Sequence, residues 1–481
     1  MSSEEQFAKF EARLAKLEQE NATLRAEVEG LRGENAALRA ELVTLKSEQA
    51  KADEKANANS TNSNKPPSSD PPGTRPGKTP TGNKRGAQVG HPPHSRQPVD
   101  PEKVSKRTLV QPVECRHCGS HALTLTKDAP LVHQVGELPE IEIIWEQFEL
   151  HTCECRGCGK RTRAELPPSV PRHMFGPRLL AFLAFLVAGR MSRRQVQSLC
   201  LHVLGFRASL GAISEAEART SSALAAPVAE AIAYARKRRI KHVDASSWSL
   251  SGQLRALWTI ATSAVTVFFV ASDQKTETIS ALMRSLRGFL VTDRGSQFGF
   301  WVMERRQICW AHLIRKFVAY SERKDEGAAI GVSLLLISQS MLSAWHQVRD
   351  GTLTRGRYQV MAENAQVAME ELLARGVALR LRGLSGSCEN ILAHKEALFR
   401  FAFVRDLEPT NNRAERALRA FVMWRKTSYG SQSERGCAFA QRLMTVVETL
   451  RQQKRPVFSF LVDACRAAQQ GTPTPSLLPT R

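Results

Sequence analysis

An unbroken heptad repeat from Phe7 to Leu45 constrains the fold of the N-terminus more than any other feature of the sequence. Every d position from Phe10 onward is apolar, and the a positions are apolar except for Asn21 and Asn35. Such a stripe must be buried, and a second helix with the same stripe buries it best. The two asparagines favour a parallel pair of helices in register.

The positions that flank the stripe carry complementary charges. The g positions hold glutamate and the e positions that follow hold arginine or lysine: Glu20, Glu27, Glu34 and Glu41 at g, and Arg25, Arg32, Arg39 and Lys46 at e. In a parallel dimer each glutamate faces a cation of the other chain. We therefore expect residues 1–50 to be a coiled-coil helix that makes the protein a homodimer, rather than a helix packed on its own chain.

Residues 51–100 are rich in Pro, Ser, Asn, Gly and Lys, as in the Asn-Lys-Pro-Pro-Ser-Ser-Asp-Pro-Pro-Gly stretch at 64–73. This composition offers almost nothing for a core, which predicts a disordered linker.

The overall charge favours a nucleic-acid partner. The 481 residues include 68 Lys plus Arg and 47 Asp plus Glu, which gives a net charge of +21. The length of the chain predicts more than one domain.

Ten cysteines without a secretion signal indicate a reducing compartment. The longest apolar run, Leu179 to Gly189, is shorter than a membrane span. We expect a cytoplasmic protein that associates with nucleic acid and has no membrane partner.

Two matched Cys-x-x-Cys-Gly turns predict a structural zinc site in a small β module at 101–170. Their thiols are Cys115, Cys118, Cys155 and Cys158. Four thiolates complete a tetrahedral zinc site, and the strand-like residues 141–150 suggest a long hairpin between the turns. Two unrelated thiol pairs are the alternative. Four neighbours remain open as substitute ligands: His117, His121, His151 and Cys153.

Residues 171–239 read as helices. A helical pattern at 192–204 stops at Gly205, and either Ser209 or Ser214 is suited to cap the next helix. A helix, a short turn and a second helix resemble a DNA-binding helix-turn-helix, although any α-hairpin looks similar.

The pattern changes to strands at residue 240. Three strands are predicted at 240–245, 254–262 and 264–272, followed by a helix at 275–286, a strand at 288–292, a strand at 307–310 and a helix through 317. This is the order of a ribonuclease-H-like α/β domain, which we place at 240–422. In that order Asp244 on the first strand and Asp293 after the fourth lie on adjacent strands.

A third acid, Glu415, lies on a highly basic helix beyond a predicted helical insertion at about 326–403. Arg413, Arg416 and Arg419 on that helix are candidate phosphate contacts, and a helical tail is expected at 423–481.

Asp244, Asp293 and Glu415 suit two-metal chemistry. Carboxylate oxygens prefer Mg²⁺ or Mn²⁺, and three carboxylates offset much of the charge of two such ions. Paired metals promote phosphoryl transfer at a nucleic-acid backbone. A surface salt bridge is the alternative for any single acid, but strand position and basic surroundings favour a site.

The sequence resembles the transposases of the insertion-sequence-66 family, which belong to the Asp-Asp-Glu transposases. The specific motifs are Cys-Trp-Ala-His-Leu-Ile-Arg-Lys-Phe at 309–317 and Asn-Asn-Arg-Ala-Glu-Arg-Ala-Leu-Arg at 411–419, together with the zipper, linker and paired cysteines. The resemblance implies that Asp244, Asp293 and Glu415 are the catalytic triad. It also implies element terminal repeats and target DNA as partners, with accessory element-encoded proteins. His312 is matched too, either as a phosphate contact or as a packing residue beside Trp310.

Two alternatives to a transposase stay open at this point. A dimeric DNA-binding regulator with an inactive core would need only the zipper and the zinc module. A nuclease of similar fold would cleave without joining. The chain has Asp244-Ala-Ser where the family usually has Asp-Glu-Thr or similar. Because the acid itself is retained, we expect activity.

Overall fold

The computed structural model describes residues 3–63, 70, 98–284 and 287–479. The chain divides into two compact units, described separately. The larger comprises residues 1–74, 148–198 and 208–481, and the smaller comprises residues 75–147 and 199–207. Most of the predicted linker at 51–100 lies outside the described residues.

The N-terminal heptads form one helix, α1, at Ser3–Asn57. Its apolar stripe faces solvent in the single chain; Leu24 and Leu31 are each 58% exposed. The helix runs past the predicted boundary at residue 50. Ala, Lys and Glu predominate in its last turns, and the first proline comes only at Pro66.

The cysteine-containing region holds less β structure than expected. Strand β1 at Thr152–Glu154 pairs antiparallel with β2 at Arg161–Arg163. These are the only strands described between residues 98 and 170, so the prediction of a long hairpin through residues 141–150 is wrong. That segment alternates apolar and polar residues, but a strand requires a partner for its backbone, and Ile144 is 95% exposed.

Four helices follow: α2 at Pro177–Ala188, α3 at Arg193–His202, α4 at Leu210–Ala223 and α5 at Ala225–Lys237. Gly205 has a φ of +68° in the turn before α4. Ser209 caps that helix by accepting a 3.0 Å hydrogen bond from the backbone N–H of Ala212. Arg193 and Glu217 then join α3 to α4 through a 2.6 Å ion pair.

A five-stranded sheet forms the centre of the larger unit. Its elements are β3 at Ile240–Leu250, β4 at Gln253–Ala261, β5 at Thr266–Ala271, α6 at Thr276–Met283, β6 at Phe289–Thr292 and β7 at Arg306–Ile308. The order across the sheet is β5-β4-β3-β6-β7. Strands β3, β4 and β5 run antiparallel, whereas β6 and β7 run parallel to β3. The strand β3 is therefore central.

Helices fill the chain between the sheet and the third acid. They are α7 at Trp310–Ser321, α8 at Gly327–Asp350, α9 at Arg355–Ala378, α10 at Ser385–Leu392 and α11 at Arg400–Phe403. Helix α8 is long and apolar enough to cross a membrane by length and composition alone. Core helices pass the same test, and Ile330, Leu334 and Met341 of α8 belong to the buried core of this region.

Three further helices complete the chain: α12 at Asn412–Ser428, α13 at Glu434–Gln452 and α14 at Val457–Gln470. Side chains of α13 cover the free edge of β5. The Thr449 hydroxyl accepts from the backbone N–H of Thr266 at 3.1 Å, and the Thr445 hydroxyl accepts from that of Phe268 at 3.2 Å. The C-terminal segment is thus part of the core architecture, because it satisfies edge-strand groups that would otherwise be exposed for pairing.

Candidate active site

The first two acids lie side by side on parallel strands. Ile240 of β3 pairs with Phe289 of β6, and His242 pairs with Val291. This register, continued by two residues, places Asp244 opposite Asp293. The strand order predicted this adjacency, and the parallel pairing of β3 with β6 confirms it.

The other two acids contribute to the electrostatic environment of Asp244. Burial, together with the negative charges of Asp293 and Glu415, raises the pKa of Asp244 to about 7. The backbone N–H of Ala245 opposes this by donating to Asp244 Oδ1 at 2.8 Å. Carboxylates that are 49 and 171 residues away in sequence therefore act on Asp244 directly.

The position of Glu415 is set by the start of α12. Glu415 lies in the first turn, and its backbone N–H donates to the carbonyl oxygen of Asn411 at 3.1 Å. Asn411 is 1% exposed, and its side-chain amide donates to the carbonyl oxygen of Val243 at 2.8 Å. This bond attaches the beginning of α12 to β3 one residue before Asp244.

Two further side chains reach Glu415 from the start of α7. Cys309 Sγ lies 3.7 Å from Glu415 Oε1, and His312 Nδ1 lies 3.8 Å from the same oxygen. Burial raises the pKa of the Cys309 thiol to about 12 and lowers the pKa of His312. His312 was predicted from the sequence as a site residue, whereas Cys309 was not. The i, i+3 spacing of the two residues at a helix start was the signal that could have identified the pair.

Buried Arg306 supports the backbone at Asp293. Its guanidinium donates to the carbonyl oxygen of Asp293 at 3.2 Å and lies 3.4 Å from the Thr292 hydroxyl. Arg306 is only 1% exposed. Arg306 was not predicted from the sequence, because a single arginine at the start of a short strand carries no distinctive pattern.

The three arginines of the Glu415 helix differ in their contacts. Arg413 forms a 2.8 Å ion pair with Glu408 and donates to the carbonyl oxygen of Thr262 at 3.3 Å. Arg416 and Arg419 are exposed on α12, and Arg416 Nε reaches only the Asn412 carbonyl oxygen of its own helix, at 3.2 Å. The structure therefore leaves two of the three predicted phosphate contacts facing solvent.

Each Cys-x-x-Cys-Gly turn has the same backbone geometry, although the two belong to different units. In the first, the Cys115 N–H donates to Ser120 and the Gly119 N–H donates to Cys115, both at 2.9 Å. In the second, the Cys155 N–H donates to Lys160 and the Gly159 N–H donates to Cys155, both at 2.8 Å. Gly119 and Gly159 have φ of +71° and +68°, a conformation that favours glycine.

The first thiol of each turn has a lowered pKa. Backbone N–H groups of His117 and Cys118 lower the pKa of Cys115, and those of Gly157 and Cys158 lower the pKa of Cys155. Thiolate is the form that binds metal.

The comparisons with known proteins agree with the motifs at 309–317 and 411–419. The family model described as Transposase IS66 family matches residues 172–438, which include all three acids. A family of unknown function (DUF6444) matches residues 9–97. No curated protein matches the sequence. Because the first match covers more than half of the chain, the protein belongs to the transposase IS66 family.

Proposed function

We propose that this protein cleaves DNA strands at the ends of a mobile element and joins them to target DNA, with Asp244, Asp293 and Glu415 as the catalytic acids. One observation carries the proposal. Asp293, directly after the parallel neighbour of β3, and Glu415, at the start of α12, both raise the pKa of Asp244 on β3. Family membership supports a transposase role but does not by itself identify these residues.

The residues present fit divalent cations. The donors are hard carboxylate oxygens. Burial together with neighbouring anions raises the pKa of Asp244 to about 7, so a bound cation would offset the unfavourable charge of the ionised acid. Mg²⁺ or Mn²⁺ would be held by Asp244, Asp293 and Glu415. Two such ions would supply activation of the attacking water or 3′-hydroxyl and stabilisation of the leaving oxygen.

The chain's own residues orient these acids. Asn411 fixes the start of α12 against β3, and Arg306 holds the carbonyl oxygen of Asp293. The strand order β5-β4-β3-β6-β7, with three antiparallel strands followed by two parallel ones, supports the proposal that the core is ribonuclease-H-like.

DNA contact is proposed for the exposed face of α12. Arg416 and Arg419 point to solvent, His312 lies beside Glu415, and the chain carries a net charge of +21. Arg413 would first have to leave its ion pair with Glu408. Phosphate neutralisation by arginine gives salt-dependent binding, as expected for a protein that engages both terminal repeats and target DNA.

Two parts of the N-terminal half are proposed to support this activity. The exposed stripe of α1 supports a parallel homodimer. Each matched turn directs backbone N–H groups at its first thiol, which supports Cys115 with Cys118, and Cys155 with Cys158, as pairs of structural zinc ligands.

The test is cleavage and joining of duplex DNA that carries both ends of the encoding element, in Mg²⁺, with purified full-length protein. We expect the wild type to cut and join. Asp244→Asn, Asp293→Asn and Glu415→Gln should each reduce the rate by at least about 100-fold, because each removes charge stabilisation at the reacting phosphate. Asp350→Asn, at the exposed end of α8, is the matched control and should retain the wild-type rate.

Three outcomes would count against the proposal in different ways. Full activity in the Asp244→Asn variant would remove the assigned chemistry. Cutting without any joining would identify a nuclease. Specific binding to the ends without cutting, even in Mn²⁺, would identify a DNA-binding regulator.

A further inference from the structure

The side chains of Cys309, His312 and Glu415 lie close together. A metal site built only from the carboxylates of the three acids does not explain why a thiol and an imidazole lie beside Glu415. One ligand atom from each lies within 4.8 Å of the other two. Among the described residues, this is the only group of three or more His, Cys, Asp or Glu side chains that meets this criterion. It combines a soft sulfur, an imidazole nitrogen and a carboxylate oxygen.

We propose that Cys309 Sγ, His312 Nδ1 and Glu415 Oε1 form a binding site for a thiophilic divalent ion such as Zn²⁺, and that the ion bound there withdraws Glu415 from the three-acid site.

The distances match the edges of a coordination polyhedron. A tetrahedral zinc with Zn–S of about 2.3 Å and Zn–N or Zn–O of about 2.1 Å places neighbouring ligands roughly 3.4–3.6 Å apart. The observed separations from Glu415 Oε1 are 3.7 Å to Cys309 Sγ and 3.8 Å to His312 Nδ1. The second distance is too long for a hydrogen bond. Three protein ligands with one open position are a common zinc arrangement.

A second observation concerns His312 itself. Its Nδ1 is buried, and within the part of the chain that the structure describes it has no hydrogen-bond partner. An orphaned buried nitrogen costs free energy unless something satisfies it. A metal ion between His312 and Glu415 would satisfy it without any change of backbone.

The surroundings of Cys309 favour a bound thiolate. Its sulfur lies at the N-terminus of α7 and accepts a 3.1 Å hydrogen bond from the backbone N–H of Asn411. Hydrogen bonds to a thiolate from outside the ligand set orient and stabilise it. Without an ion the thiol stays protonated, so binding forms a metal–sulfur bond and releases the thiol proton to solvent.

The ligand set selects against the ions that the three acids prefer. Mg²⁺ takes oxygen ligands, whereas sulfur and imidazole favour Zn²⁺ or Co²⁺. Both kinds of site include Glu415. The competition of the two sites for Glu415 rests on the proposed function, whereas the binding of zinc at Cys309 and His312 does not.

Zinc content per chain tests the binding directly. Full-length wild type, Cys309→Ser, His312→Gln and the control Cys388→Ser are dialysed against the same buffered Zn²⁺ and measured by plasma mass spectrometry. Cys388 is also a fully buried free thiol on a helix. We expect the control to match the wild type and the other two variants each to bind one zinc fewer. Circular dichroism identifies any variant that fails to fold. If Cys309→Ser does not fold, the zinc content of His312→Gln decides whether the site exists.

Equal zinc content in wild type, Cys309→Ser and His312→Gln would overturn the site and leave a simple thiol–carboxylate hydrogen bond.

To test the competition, the rate of DNA cleavage by each variant with added Zn²⁺ is compared with the rate of the same variant in Mg²⁺ alone. Added Zn²⁺ should inhibit the wild type at concentrations at least tenfold lower than it inhibits Cys309→Ser. Equal inhibition would overturn the competition. Absence of cleavage in Mg²⁺ alone would instead contradict the proposed function and leave the zinc count unaffected.

Discussion

The side-chain amide of Asn411 donates a 2.8 Å hydrogen bond to the carbonyl oxygen of Val243, the residue before Asp244. This bond joins two segments that are 168 residues apart in sequence. Because Glu415 follows one helical turn later, the bond fixes the third acid relative to the first. The site therefore depends on the attachment of α12 to β3 as much as on the acids.

Replacement of Asn411 by alanine should weaken this attachment. We expect Asn411→Ala to lower the free energy of unfolding by about 1–3 kcal/mol, because the buried Val243 carbonyl loses its partner. DNA cleavage should fall more than DNA binding does. The neighbouring Asn412 is exposed, so Asn412→Ala is the matched control and should change neither quantity. Chemical denaturation and single-turnover cleavage measure the two effects, and identical behaviour of both variants would contradict the anchoring role.

The raised pKa of Asp244 predicts a pH dependence of stability. Burial raises this pKa from 3.8 to about 7, so the folded protein binds more protons at this group than the unfolded protein between these values. Stability should therefore fall as pH rises from about 4 to 7. Asp244→Asn removes this contribution and should be more stable than the wild type at pH 8, by an amount of the order of a few kcal/mol.

Thermal unfolding from pH 5 to pH 8 without added Mg²⁺ tests this difference, since titrating groups that do not interact with Asp244 cancel between the two proteins. Added Mg²⁺ should stabilise the wild type at pH 8 and leave Asp244→Asn nearly unchanged. Parallel stability curves for the two proteins would show that Asp244 ionises normally.

The exposed stripe of α1 predicts a dimer that depends on d-position leucines. Leu24→Lys combined with Leu31→Lys should convert the dimer to a monomer, because four lysines would be buried in one seam. Ala22→Lys combined with Ala26→Lys adds the same charge on the outer face and should leave the dimer intact. Analytical ultracentrifugation distinguishes these outcomes. A monomeric wild type, or a dimer that survives the leucine replacements, would contradict the coiled coil.

The threonines of α13 should stabilise the edge of the sheet. Replacing Thr445 and Thr449 with valine keeps their volume but removes the acceptors for the N–H groups of Phe268 and Thr266. We expect a loss of about 1–3 kcal/mol for each unsatisfied group and increased aggregation. Thr220→Val is a buried control, since its hydroxyl donates to the Ala216 carbonyl oxygen of its own helix and accepts only a long, 4.0 Å contact from the Cys465 thiol. Equal losses from all three positions, measured by denaturation, would exclude a special role for the edge contact.

Sequence reasoning predicted the elements that depend on local pattern. The strand before Asp293 is an apolar run with clear ends and was predicted closely. The strand that carries Asp244 was predicted to end at residue 245, but β3 continues to Leu250 because its antiparallel pairing with β4 extends that far. The parallel pairing of β3 with β6 follows from the order of elements. Ser209 was a capping candidate because a serine directly before a helical pattern satisfies the first free N–H groups.

Features that depend on distant partners could not be predicted in this way. Residues 141–150 have the alternation of a strand but no described strand beside them. The meeting of Cys309 with Glu415 required the folded position of α12.

The most direct test of the convergence of the acids uses Fe²⁺ in place of Mg²⁺. With ascorbate and peroxide, bound iron generates hydroxyl radicals that cut the nearby backbone, and mass spectrometry locates the cuts. The account predicts cuts in three segments that are distant in sequence, around Asp244, Asp293 and Glu415. Excess Mg²⁺ should suppress these cuts, and Asp244→Asn should reduce them. Cuts confined to one or two of these segments, or unchanged in Asp244→Asn, would contradict a shared metal site.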